Sequence, residues 1–424
     1  MMTKWICISL IVLGPLIIKG QIYEKSYEKY AFINIDTNQL EVNESPSMSQ
    51  FFYKLDSLVL FGDRKLNIFH IGDSHIQADF FSNRLRNNFQ DIARGQNGGR
   101  GFIFPYRMAE TNNPLNYKVS WTGKWHYCKN VDRDTNCSAG LGGFNVYTKD
   151  STASFSVFMS SDNHHDYYFN KIRLFHKYDT AQWNIAPADT SLHYHQKYIP
   201  EYGYTLFKFK KIIDSIKFRI TLKDSLQQPS SYQLMGLSLD NSDPGIVYHS
   251  SGVNGADVQA WLKCQLFQKH LSAINPDLII ISLGTNDTYS RKFNQQRFKY
   301  NYRKLVEKMK NAAPDAAFIL TAPGDNYLYR RYLNRNISKA VSIIQEIAQD
   351  QQLAFWNFYS VMGEMNSIKY WHNAGLTARD FLHFNQKGYS LQGNLLFYAI
   401  MKAYHDHIFD QNQLNQNTKA KINK

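Results

Sequence analysis

Apolar and polar positions along the chain alternate between two rhythms. Residues 66–72, "LNIFHIG", form a short continuous apolar run that reads as a buried strand. Residues 76–90, "IQADFFSNRLRNNFQ", place Phe80, Leu85 and Phe89 on one side of a predicted helix. From residue 245 the pattern becomes regular. Strands are predicted at 245–251, 277–284, 316–324 and 353–361, and helices at 257–273, 291–311, 335–350 and 387–404. Five strands alternating with helices predict a parallel sheet covered on both faces.

Between Gly101 and about Asp240 the helical period fades. Short alternating stretches replace it: "ASFSVFM" at 153–159, "YYFNKIRLF" at 167–175, "YTLFKF" at 204–209 and "SIKFRITL" at 215–222. Gly, Asn, Asp and Ser clusters separate them, as in a small antiparallel β-sandwich. The expected organisation is therefore an α/β domain in two parts, 21–105 and 241–408, interrupted by a β-rich insert at 106–240. A polar, mobile tail is expected at 409–424. No internal repeat is visible.

The first 20 residues stand apart. Lys4 precedes the 14-residue apolar run "WICISLIVLGPLII", and Gly20 offers a small residue before a cut. This reads as a secretory signal peptide at 1–20, although Ile18 is a poor residue two places before the cut. No cysteine follows the run to carry a lipid, and no later stretch is apolar enough to span a membrane. An uncleaved N-terminal anchor is the weaker alternative. The expected location is outside the cytoplasm, in the periplasm or cell envelope. The formal charge is +13 over 424 residues; losing Lys4 and Lys19 leaves +11. A basic exported protein suits anionic surroundings such as a cell wall, a lipid surface or an acidic glycan. The dispersed lysines and the lack of a recognition motif argue against nucleic acid. Cys128 and Cys137 lie close enough in sequence to pair in an oxidising compartment. Cys264 shares a helical face with Ala260, Phe267 and Leu271 and is expected to be a buried apolar residue.

An open parallel sheet gathers its site beyond the carboxyl ends of its strands. After the first strand come Gly72, Asp73, Ser74 and His75; after the second, "SSGVNGAD"; after the third, "GTND"; after the fourth, "APGDN". Beyond the fifth lies "RDFLHFN", with Asp380 and His383. A serine at a strand–helix junction often only caps the helix, but a cap predicts nothing about the other four strand ends. The set fits acyl chemistry. A serine needs a base and the base needs an orienting group, which His383 and Asp380 supply. Developing negative charge needs donors: the backbone N–H groups of Ser74 and Gly255 and the side chain of Asn286.

"GDSH", "GVNGAD", "GTND" and "DFLH", in this order, resemble the four blocks of the SGNH (GDSL-type) hydrolase superfamily. The resemblance implies a flavodoxin-like hydrolase domain, catalytic residues Ser74, Asp380 and His383, and an oxyanion hole from Ser74, Gly255 and Asn286. It covers roughly 60–105 and 240–406. GDSH replaces GDSL, and the GxSxG elbow is absent because Ile76 occupies its second glycine position. Ser74 and Gly255 are 255 − 74 = 181 residues apart. "HIGDSH", "GGRGF" at 98–102, the β-rich insert and "MGLSLDNSDPGIVYHSSGVNGA" together resemble the peptidoglycan O-acetylesterases. These carry a carbohydrate-binding-module-like insert between the first two blocks. That likeness implies the 6-O-acetyl group of N-acetylmuramic acid as substrate and no cofactor.

Other readings compete. The same residues would serve another acetylated polysaccharide, or transfer the acyl group to a sugar, and a degenerate fold would only bind glycan. Asp73, His75 and Asp287 are expected to be structural, and "GQNGGRGF" a tight turn at the rim. His164, His165, His193 and His195 hint at metal, but no acid or cysteine in the sequence pattern completes a ligand set. Exposed insert aromatics among Trp121, Trp125 and Trp183 are expected to stack on sugars. Because the insert leaves and returns around the first two blocks, both its attachment points are expected near the site.

Overall fold

The computed structural model describes residue 27 and residues 29–422 except 93, 94, 96, 134–136 and 224–228, with side chains as far as residue 410. The signal-peptide reading of residues 1–20 lies outside the described residues.

The five predicted strands are present and parallel. They run Lys65–Gly72, Gly245–Gly252, Leu278–Ser282, Ala317–Thr321 and Ala354–Trp356. Their order across the sheet is 354–356, 317–321, 278–282, 65–72, 245–252. Side chains alternate between the faces, as a pleated strand requires. Ile279 and Ile281 enter one buried cluster, while Leu278 and Ile280 enter the other. Helices Gln295–Ala312 and Asn336–Asp350 cover the first face. Helices Pro46–Phe61, Phe80–Gln90 and Gln386–Ile422 cover the second. Among the described residues no helix is long and apolar enough to cross a membrane.

Several boundaries differ from the sequence reading. The helix expected at 76–90 is broken: a short turn of helix, Ser74–Gln77, is followed by Asp79 at φ 57°, and the main helix starts at Phe80. The helix expected at 257–273 is two, Val258–Leu262 and Phe267–Ile274. The fifth strand stops at Trp356, and Phe358–Val361 is helical. The tail expected at 409–424 is not a separate tail, because the last helix carries its backbone on to Ile422. "GGRGF" is no turn. Residues Asn97–Ile103 form a sixth strand, parallel to Gly245–Gly252. A Cβ on Gly101 would lie 2.8 Å from the Tyr248 carbonyl oxygen, so the glycines admit a close backbone approach that masked the strand's pattern.

The insert is built from antiparallel strands, and all four stretches read from the sequence are strands. Its relation to the hydrolase part was not visible in the sequence. Strand Tyr232–Asp240 pairs antiparallel with Asn97–Ile103, and strands Phe169–Lys177, Tyr204–Ile213 and Tyr194–Ile199 follow in turn. One layer of the insert is thus the continuation of the hydrolase sheet. The other layer is a separate four-stranded sheet of Tyr117–Thr122, Ser154–Met159, Ser215–Leu222 and Trp183–Pro187. Phe207 and Phe218 meet between the layers at 5.0 Å. Their core is one cluster with the first face of the hydrolase part. Cys128 and Cys137 form a disulfide.

Only one attachment point lies at the site. The chain leaves strand Asn97–Ile103 at the carboxyl-end face. Strand Tyr232–Asp240 runs the other way, pairing Leu237 with Ile103 and Asp240 with Gly99. The return at residues 240–245 is therefore at the opposite edge.

Candidate active site

The turn after Gly72 is held rigidly. Asp73 caps it by accepting from the His75 N–H at 3.0 Å. Gly252, at the end of the neighbouring strand, packs so tightly that an added Cβ would stand 2.3 Å from the Gln77 backbone nitrogen. This close approach projects Ser74 from the carboxyl-end face. Ser74 Oγ lies 2.8 Å from His383 Nε2. His383 Nδ1 lies 2.7 Å from Asp380 Oδ2. Asp380 also accepts from the backbone N–H groups of Leu382 and His383. Burial opposes its ionisation, but these bonds and the His383 charge prevail and hold the carboxyl well below the usual carboxylate range. Burial likewise lowers His383, but its bond to Asp380 and the charges of Asp380 and Asp73 outweigh that and raise it above the ordinary histidine value. Three residues 309 positions apart at the extremes are thus drawn into one hydrogen-bonded line.

The second and third blocks converge on the same place. Asn254 N–H donates to Gln77 Oε1 at 2.7 Å. The Asn286 amide donates to Asp73 Oδ2 at 3.1 Å and to the Ala256 carbonyl at 3.0 Å. Gly255 sits between these anchored residues at φ 80°. An added Cβ there would meet nothing within 4 Å, so the positive φ, rather than lack of room, calls for glycine. Asp287 accepts from the Val258 N–H, which fastens the start of helix Val258–Leu262. Burial, reinforced by the charge of Asp257, pushes its carboxyl up to about 8.

Asp73 and His75 do more than the sequence indicated. Asp73 joins the Ser74 turn to Asn286, and burial raises it to about 6. His75 stacks on His383, with ring centres 5.2 Å apart, and its Nδ1 is 2.9 Å from the Tyr389 hydroxyl. Burial and the nearby His383 charge lower His75 to about 3, so it is a neutral platform for the His383 ring. The sequence hinted at this only by a polar ring where the GDSL pattern has leucine. A further network escaped the reading. The Gln77 amide donates to Thr111 Oγ1 and to Asn112 Oδ1, both at 3.0 Å, and the Asn254 amide donates to Asn112 Oδ1 at 2.7 Å. The first loop of the insert is therefore bonded directly to the wall of the site.

Of the three insert tryptophans considered for sugar stacking, Trp183 is core, Trp125 packs partly buried against the core, and Trp121 is 41% exposed. The Cys264 thiol is buried, which pushes it up to about 11 and excludes a nucleophilic role at neutral pH.

The parallel sheet flanked by helices has the SGNH hydrolase fold, and the serine–histidine–aspartate line lies at the carboxyl ends of its strands. Residues 227–391 match the model of the GDSL-like lipase/acylhydrolase family, so the chain carries a domain of that family and is an esterase of the SGNH type. The matched segment holds Gly255, Asn286, Asp380 and His383, and Ser74 lies before it. Among solved structures, a peptidoglycan O-acetylesterase superposes with a TM-score of 0.65 at 20% identity. The superposition spans 86% of this chain and 98% of the other, insert included. A lipase/acylhydrolase from Enterococcus faecalis covers 37% of this chain and 76% of its own, with a TM-score of 0.31 at 24% identity. A catalytic mutant of an acetylxylan esterase from Geobacillus stearothermophilus covers 37% and 73%, with a TM-score of 0.31 at 19% identity. No curated protein sequence matches the chain.

Proposed function

We propose that the protein is an exported serine esterase that removes O-acetyl groups from a glycan, with the 6-O-acetyl group of N-acetylmuramic acid in peptidoglycan as substrate. The observation that carries this reading is the line Ser74 Oγ–His383 Nε2 at 2.8 Å and His383 Nδ1–Asp380 Oδ2 at 2.7 Å. In this reading Ser74 attacks the acetyl carbonyl while His383 takes its proton, and Asp380 fixes the tautomer and steadies the imidazolium. The carbonyl oxygen becomes an oxyanion facing the N–H groups of Ser74 and Gly255 and the amide of Asn286. Asn286 reaches it by releasing the Ala256 carbonyl, one of its two present acceptors. Collapse expels the sugar alkoxide, which takes the proton from His383. Water, deprotonated by His383, then attacks the acetyl-serine and releases acetate.

Export is supported by the signal-peptide pattern at 1–20 and by the Cys128–Cys137 disulfide, a bond that persists in oxidising compartments. A polymeric glycan is supported by the net positive charge and by the insert loop at Thr111 and Asn112 that walls the site. It is also supported by a fold shared, insert included, with a peptidoglycan O-acetylesterase.

The test is acetate release from O-acetylated peptidoglycan against acetylated xylan. Free acetate is expected from peptidoglycan at a kcat/KM at least tenfold above that on xylan. Ser74→Ala is expected to lose on the order of 10³-fold or more in kcat with an unchanged circular dichroism spectrum. Acetyl groups recovered on a sugar acceptor instead of as acetate would overturn the hydrolase reading. A Ser74→Ala variant that kept a tenth of the wild-type kcat would overturn the nucleophile.

A further inference from the structure

The sequence places His164 and His165 between Asp162 and Asp166, with no acid whose spacing completes a ligand set. The fold supplies one. The loop between strands Ser154–Met159 and Phe169–Lys177 lies against Asp91, which ends helix Phe80–Gln90. His164 Nε2 is 2.9 Å from Asp91 Oδ2, and His165 Nε2 is 3.2 Å from Asp91 Oδ1. The two imidazoles stand edge to face with centres 4.6 Å apart. One donor atom from each of the three residues lies within 4.8 Å of the other two. The loop is pinned on its C-terminal side. The Asn97 amide donates to the Asp166 carbonyl at 3.1 Å, and the Tyr167 hydroxyl donates to Gln90 Oε1 at 3.1 Å.

We propose that Asp91, His164 and His165 form a binding site for one late first-row divalent cation, of which zinc fits the donors best. Two imidazole nitrogens and one carboxylate oxygen are ligands that zinc takes, at bonds of about 2.0–2.2 Å. Donors around a tetrahedral ion then stand about 3.4 Å apart, so the two nitrogen–oxygen distances need open by only a few tenths of an ångström, while the two imidazole nitrogens, within 4.8 Å of each other, adjust by side-chain rotation. Hard cations such as magnesium are disfavoured, because they prefer oxygen donors and the cluster has one carboxylate. His164 is half exposed, which leaves the fourth position to solvent. The donors come from both parts of the molecule, the insert giving two and the hydrolase helix one. A bound ion fastens the insert loop to the end of that helix remote from the Ser74 turn, so its role is structural.

The test uses the full chain stripped with a chelator and dialysed free of it, then titrated calorimetrically with zinc chloride and, separately, magnesium chloride. Zinc is expected to bind one per chain and to raise Tm, and magnesium to do neither. Asp91→Asn and His164→Ala are each expected to weaken zinc binding at least tenfold and to abolish the Tm increase. His165→Gln serves as a third variant should one of these fail to fold. A wild-type chain that takes up no zinc would overturn the site. So would folded variants that bind zinc with wild-type affinity, since the ion would then sit on other histidines.

Discussion

His383 is pulled in two directions: burial favours its neutral form, and Asp380 with Asp73 favours the cation. The cationic preference wins, so its folded pKa lies above the reference histidine value of about 6.5. A general base must be neutral to accept the Ser74 proton. On the proposed mechanism, kcat/KM should rise with pH through a transition above about 6.5, with unit slope on its acid side. Neutralising Asp380 as Asp380→Asn should move that transition to lower pH while lowering kcat by on the order of 10⁴. Initial rates on 4-nitrophenyl acetate across pH 5 to 9 provide the check, and a flat profile would contradict the assignment. The first three blocks were legible because each follows a strand end with a polar cluster, and the fourth because an aspartate stands three residues before a histidine. What escaped was how residues inside them serve one another. Asp73 looks like a helix cap and is one, yet its second oxygen reaches Asn286, 213 residues away. Local spacing holds no information about such a partner.

At the scale of elements, Asp79 shows why the predicted helix at 76–90 breaks. It adopts a left-handed conformation, uncommon for a residue with a Cβ. That turn aims its carboxylate into the protein, where Arg86 and Arg100 pair with it at 2.9 and 2.7 Å. Ser82, Ser250 and Asn116 donate to the same group. One buried carboxylate therefore ties together the helix after Ser74, the strand with Arg100, the strand ending at Gly252 and the start of the insert. Burial opposes its charge, but the two guanidinium groups dominate and hold it well below the usual carboxylate range. Removing it strands two buried cations. Asp79→Ala should cost about 3–5 kcal/mol of stability, read from the urea midpoint at constant m-value. A loss below about 1 kcal/mol would mean that the network relaxes onto water. The helical period was visible in the sequence through Phe80, Leu85 and Phe89, although the structure buries Phe81 with Leu85 and Phe89 and leaves Phe80 only partly buried. The break was not, because an aspartate in a polar helix face gives no sign that it turns inward.

At the scale of the whole molecule, histidine is used as a core residue. His70, His176, His249 and His270 are each almost fully buried. Their hydrogen-bond partners are neutral groups: His70 meets Tyr248 and Ser282, and His176 meets Tyr232 and Thr205. Phe102 N–H donates to His249, and Leu141 N–H donates to His270. Burial lowers all four to about 3. In the unfolded chain they would titrate near 6.5. Between those values the unfolded state binds more protons, so stability rises with pH across this window. These side chains stabilise the fold fully above about 6.5, and that contribution is lost as pH falls towards 3. Urea midpoints should therefore decline from pH 7.5 to pH 5 with little change in m-value. Equal midpoints would show that other groups offset the histidines.

The shared sheet also bears on motion. Two bodies joined by linkers can swing about a hinge, and a cleft between them can open and close. Here strand Tyr232–Asp240 is hydrogen-bonded along Asn97–Ile103, and the two parts share one buried cluster. A hinge at that seam would have to break a backbone ladder and expose core together. The seam is therefore a beam rather than a joint. On the proposed function, the long axis of a bound glycan would be set by the fold before any substrate arrives, and what gives way to admit it would be loops and side chains at the rim.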